Sequence, residues 1–299
     1  MVVAPLTLTC VALATLFVAL LPIVLYRRLR RPLGLSSRDA IAGIAVFALF
    51  AMVIERALNG YVLHQNETTA GWLSNPLVFV IYGALAAGVC EEGGRFIAMK
   101  LMWRRLTTRH AAGATLATSE TSAAEGGSTA ATQVVAKPAT QTAVPSGDGS
   151  ALAYGLGHGG AEAWMVGVLV QIQWIVFAVI ENRGELDTYL GNVPPDSLMR
   201  LHLVLASLSP QSAGIFLLER VAALVFQIGM SVLMWRGVRA GWRGILPLAI
   251  FAHALVDVPA TLFQARVLPL FAVDAIYALA AVIVTGVLMK LFRQPARAI

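Results

Sequence analysis

Charge is what this chain has least of. Lys, Arg, Asp and Glu make up 13% of its 299 residues, against about 25% in soluble domains. That is too little to cover a water-soluble fold of this size. With 58% hydrophobic residues and a mean hydropathy of +0.75, the composition points to a polytopic membrane protein. Cysteine is nearly missing. Cys10 and Cys90 each fall inside an apolar run, which excludes a disulfide framework and leaves the redox compartment undefined. There is no concentrated basic patch. The net charge of +6 comes from residues that flank apolar runs, so a nucleic-acid partner is not expected. The N-terminal apolar stretch, Val2 to about Leu25, lacks a basic segment before it and is too long for a signal peptide's core. It reads as a retained transmembrane helix.

What is present is a series of long apolar runs. Seven reach the ~20 residues needed to cross a bilayer, near 4–26, 39–58, 76–101, 152–180, 212–235, 244–264 and 268–291. The expected fold is all-α: a polytopic transmembrane bundle of about seven spans. Sixteen of the 22 Lys and Arg residues fall after spans 1, 3, 5 and 7. By the positive-inside rule those connections are cytoplasmic, with the N-terminus out and the C-terminus in. From about Thr107 to Ser150 the chain is Ala, Thr, Ser, Gly and Pro with few large apolar residues. Such a segment cannot offset its ordering entropy and reads as a disordered cytoplasmic linker. The chain thus divides into residues 1–106 with spans 1–3, the linker at 107–150, and residues 151–299 with spans 4–7. The outer connection 181–210 is expected to hold a short interfacial helix near Ser197–Ala206.

The scarce charges are concentrated where they cost most. Glu91-Glu92-Gly93-Gly94-Arg95 lies inside the third run, and ionisable groups at that depth mark a functional site by default. The fourth run carries His158 and Glu162, and the sixth carries His253 and Asp257, each pair spaced i,i+4 on one helical face. At 1.5 Å rise per residue, Glu91 lies about 14 Å from the cytoplasmic end of its span, His158 about 9 Å, Glu162 about 15 Å, His253 about 14 Å, Asp257 about 20 Å and Gln227 about 12 Å. Four spans thus bring their most polar groups to one layer. Arg95 can pair with either glutamate, and the two glutamates point about 100° apart. That favours one glutamate for chemistry and one held by Arg95. Glu55-Arg56, Glu219-Arg220 and Asp274 lie nearer the outer ends and read as interhelical ion pairs that lock the bundle.

A carboxylate and two imidazoles in a dry cavity suit hydrolysis. The carboxylate would activate water, one His would orient it, and the second His with Asp257 would stabilise an oxyanion. The same donors, Glu91, His158 and His253, also suit a catalytic zinc, although no HExxH is present. No Ser or Cys nucleophile has suitable company; Cys90 adjoins Glu91, but helical neighbours diverge. A proton-coupled transporter and a non-catalytic binding or immunity protein would use the same groups differently. The absence of an internal repeat opposes the transporter.

The Glu91-Glu92-Gly93-Gly94-Arg95 motif, the Gly155 to Glu162 run, Glu219-Arg220 and His253-xxx-Asp257 resemble the YhfC-like family. They resemble more broadly the glutamic intramembrane proteases of the CAAX prenyl protease and bacteriocin-processing superfamily. The resemblance covers all spans except the weakly marked first two, with 107–150 as an insertion. It implies an intramembrane endopeptidase acting on a membrane protein or peptide precursor. Glu91 would activate water with His158 as partner, and His253 and Asp257 would lie on the oxyanion side. Glu92, Arg95, Glu162 and Gln227 complete the expected site. Two departures stand out. The wider superfamily has EExxxR where this chain has EExxR, and Gln227 stands where the YhfC-like pattern has His. Glutamine is a poor metal ligand, which favours a glutamic mechanism without a cofactor, zinc being the alternative.

Overall fold

A computed structural model describes residues 2–124 and 148–293. Among them there is no strand, and the helices in order are α1 (Pro5–Arg30), α2 (Ser37–Leu49), α3 (Arg56–Gly60), α4 (Glu67–Trp72), α5 (Pro76–Ala124), α6 (Asp148–Glu162), α7 (Leu169–Asn182), α8 (Leu186–Tyr189), α9 (Pro195–Ser207), α10 (Pro210–Arg239), α11 (Ile245–Gln264) and α12 (Leu270–Arg293). Three wide π-helical segments, Phe50–Glu55, Tyr61–Gln65 and Ala163–Val168, run on from neighbouring α-helices. Seven helical stretches are long and apolar enough to cross a membrane: Pro5–Arg30, Ser37–Gln65, Pro76–Thr108, Asp148–Asn182, Pro210–Arg239, Ile245–Gln264 and Leu270–Phe292. The protein is a multi-pass membrane protein. Each span contains the run expected from the sequence within a few residues, and a helix, α9, stands where a short one was expected near 197–206. Of the expected linker, 125–147 lies outside the described residues, while 107–124 continues α5 and 148–150 opens α6, so these described ends are helical where disorder was expected.

The helix ends follow local chemistry. Proline occupies the first turn of α1, and Arg27, Arg28 and Arg30 fill its last turn, where cations complement the helix dipole. Asn66, the first residue of a glycosylation-like Asn-Glu-Thr, caps α4, its side chain accepting from Thr68 N and Thr69 N. Ser209 and Ser212 form a reciprocal capping box on α10. Arg266 adopts φ 59° in the turn between α11 and α12, a left-handed conformation uncommon for a side chain-bearing residue.

Close helix crossings set the depth of the polar layer. A Cβ on Gly157 of α6 would collide with the Ala40 backbone of α2, and one on Gly43 of α2 would collide with the Tyr154 carbonyl. Backbones approach this closely only where side chains are absent. These crossings hold α6 centrally, with α2 on one side and α10 on the other. α5 lies against α11, and α12 packs chiefly on α10. The principal core lies toward the end carrying Arg27–Arg31 and Arg236–Arg243, and includes the fully buried Met99, Tyr154, Met234, Trp235 and Ile245. This end is the arginine-rich face below.

Candidate active site

The polar layer is built from four helices. α5 contributes Glu91, Glu92 and Arg95, α6 His158 and Glu162, α10 Gln227 and Ser231, and α11 His253 and Asp257. Glu92, Arg95 and His158 are fully buried, and Glu91, Gln227 and His253 nearly so. All eight side chains singled out in the sequence fall in one connected network.

Arg95 is its hub. Its Nε lies 3.0 Å from Glu92 Oε2, although neither atom has a directed hydrogen bond, so this contact is Coulombic. Nη1 donates to the Gln227 carbonyl at 3.0 Å and to Ser231 Oγ at 2.5 Å, and Nη2 donates to Gln227 Oε1. Glu91 is more distant, its Oε2 4.0 Å from Nη2. Arg95 therefore pairs with Glu92 in preference to Glu91.

Glu91 is held differently. The His158 Nε2 and the Gln227 Nε2 each lie 3.0 Å from its Oε2. The same Gln227 amide donates to Glu162 Oε2 at 2.9 Å. One side chain thus accepts from a guanidinium and donates to two carboxylates. A neutral His has one N–H and cannot satisfy all three, which accounts for glutamine at this position. His158 is fixed by Tyr154, stacked at 5.8 Å, and by Phe47, edge-on at 5.2 Å. His253 places Nδ1 2.8 Å from Glu92 Oε1 and Nε2 3.6 Å from Asp257 Oδ2.

The two glutamates face different surroundings. Glu92 is enclosed by Arg95 and His253, whereas Glu91 opens, with Glu162, Gln227, His253 and Asp257, onto a cavity of about 400 Å³. Arg220, read from the sequence as part of a separate locking set, also reaches this cavity, 3.6 Å from Glu162 Oε1. Sequence reasoning missed Ser231, Tyr154 and Phe47. The first two carried a signal: Ser231 follows Gln227 by four residues, and Tyr154 precedes His158 by four. Phe47 comes from a weakly marked span and had none.

A family model described as "YhfC intramembrane metalloprotease" matches residues 17–118 and 139–278. The chain belongs to the YhfC family. A Bacillus subtilis (strain 168) protein described as "Uncharacterized membrane protein YhfC" is 30% identical over 254 residues, covering 85% of this chain and 83% of its own length. No solved structure matches. The family description thus names proteases working within the membrane.

The metal in the YhfC description can be tested against the donor set. The sequence offered Glu91, His158 and His253. His158 directs Nε2 at Glu91, and Arg95 Nη2 lies 3.4 Å from that nitrogen. A dication there would sit against a buried guanidinium. His253 directs Nδ1 at Glu92, the partner of Arg95 Nε, while His158 meets Arg95 through Nη2. Among the described residues no three His, Cys, Asp or Glu side chains converge so as to hold a metal ion. As arranged, these residues do not fit a zinc with three protein ligands and an open position.

Proposed function

We propose that this YhfC-family protein is a glutamic intramembrane endopeptidase that hydrolyses a peptide bond of a membrane protein or precursor peptide. The reading places it with the CAAX protease-like superfamily. The observation that carries it is the unequal placement of the two glutamates. Glu92 is consumed by Arg95 and His253, while Glu91 is oriented through one oxygen and faces the cavity.

Contacts from His158 and Gln227 converge on Glu91 Oε2, which leaves Oε1 for a water in the cavity. Glu91 takes one proton from that water as oxygen attacks the substrate carbonyl carbon. The oxyanion receives a hydrogen bond from the Nε2–H of His253 as an imidazolium, whose Nδ1–H donates to Glu92. As the C–N bond breaks, the proton on Glu91 passes to the leaving nitrogen. Asp257, 3.6 Å from Nε2, keeps that edge of the imidazole turned to the cavity. Positioned general-base catalysis contributes about 10²–10⁴-fold, and Glu91→Gln forfeits it.

The test is cleavage of a membrane-protein substrate by purified protein. Glu91→Gln should abolish product and retain the wild-type thermal unfolding profile. Cleavage by the wild-type protein should persist after a chelator. If the chelator abolishes it and zinc restores it, the glutamic mechanism is wrong and the metal reading in the family description holds. If Glu91→Gln cleaves normally, the assignment of the base is wrong.

A further inference from the structure

The layer lies closer to the arginine-rich face, but its cavity does not open that way. Beneath the network, toward the arginine-rich face, Tyr154, Met99, Met234 and Trp235 are fully buried and close that side. The cavity runs in the opposite direction. On α10 its wall spans Glu219 to Gln227, on α11 His253 to Gln264, and on α12 Leu270 to Ala281. Every one of these stretches lies on the side of the layer nearer the turn at residues 265–269. Phe263, Gln264 and Leu270, which border that turn, line it directly.

We infer that the substrate reaches Glu91 through this groove between α10, α11 and α12, threading as an extended, non-helical segment from the face that carries the 265–269 turn. The inference rests on the reading of Glu91 as the catalytic group. His253 and Gln264 are eleven residues apart on α11, about 16 Å along a helix. An extended chain covers that distance in about five residues. In a helix each peptide carbonyl is hydrogen-bonded within the segment and screened by side chains, whereas an extended segment presents its carbonyl to Glu91. The substrate must therefore be unwound before it meets the site. The walls agree with a main-chain guest. Ala222, Ala223, Ala260, Ala280 and Ala281 leave room beside the backbone, and Phe226 and Phe263 supply apolar surface. α12 is the movable wall: it leans chiefly on α10 and touches α11 sparingly, so a substrate can part α11 from α12 at modest cost.

Cysteine accessibility tests this without an activity assay. In a Cys10→Ala, Cys90→Ala background, single cysteines replace Ala260, Ala281 or, beneath the site, Met234. Sealed vesicles of each orientation are treated with a membrane-impermeant maleimide. Ala260→Cys and Ala281→Cys should be labelled only when the 265–269 turn faces the reagent, and Met234→Cys from neither side. Labelling of the first two solely from the arginine-rich face, from both faces or from neither overturns the route. A tryptophan at the same groove, Ala281→Trp, should block labelling of Ala260→Cys and lower cleavage by about a hundredfold while the fold persists. The two readings fail separately. If the labelling holds but wild-type protein cleaves nothing, the protease reading falls and the groove stands. If cleavage holds but labelling comes from the arginine-rich face, the groove falls and Glu91 stands.

Discussion

Arg95 shows at the scale of one residue how a buried charge is made tolerable. Its Nε faces Glu92, and its two terminal nitrogens meet the Gln227 carbonyl and amide oxygen and the Ser231 hydroxyl. A lysine could supply the charge but not the planar fork that spans two helices. Breaking a buried pair by removing one partner costs about 3–5 kcal/mol, and without Arg95 the buried Glu92 would keep only His253 beside it. Arg95→Met should therefore lower the unfolding temperature strongly in detergent, and the double variant Arg95→Met, Glu92→Leu should recover much of the loss. If the double variant is no more stable than the single one, the Glu92 contact is not what makes Arg95 costly to remove. The i,i+3 spacing already made this pair legible. What spacing could not reveal was which glutamate would win Arg95, since Glu91 at i,i+4 is an equal candidate on a lone helix. Packing decides it: Gln227 and His158, from two other helices, take up Glu91.

At the scale of elements, the apolar runs in the sequence were long enough to place every span, but two features escaped them. The π-helical segments, at Phe50–Glu55 and Ala163–Val168 among others, are one-residue changes in winding that hydropathy does not register. The tie between α7 and α9 involves residues far apart in sequence. His202 on α9 lies 2.9 Å from Glu181 through Nδ1 and 2.7 Å from Asp187 through Nε2. The hydrogen bond to Glu181, then that to Asp187, raises the His202 pKa above its ordinary value. A raised folded-state pKa means the tie contributes in full below the unfolded value of about 6.5 and is lost as pH climbs through the folded one. The ring is partly solvated, so the effect is small. Unfolding temperature should fall modestly as pH rises above about 6.5, and His202→Gln should flatten that part of the profile. An unchanged slope in the variant would assign the pH dependence to other groups.

For the whole molecule, the bundle and the shared depth of its polar groups were legible from the sequence. The direction in which the cavity opens was not. Depth follows from counting residues along each helix, but an opening depends on which side chains fill the space above and below the layer. That is decided by crossings such as Gly43 against α6 and Gly157 against α2. Membrane orientation is a separate question with its own determinants. The arginine-rich face holds Arg27, Arg28 and Arg30 at the end of α1. It also holds Arg236 and Arg239, which meet Asp148 at 2.6 and 3.5 Å. Cations at so many successive connections resist translocation together, so this face is expected in the cytoplasm with the N-terminus outside. An alkaline phosphatase domain inserted at residues 240–244 should be inactive, and one inserted at 265–269 should be active. With that orientation the groove draws its substrate from the outer side, even though the peptide bond is cut nearer the cytoplasm. The reverse pattern of phosphatase activity would turn the protein over in the membrane. It would leave the groove's direction within the bundle intact, because that direction is set by helix packing and not by the distribution of charge.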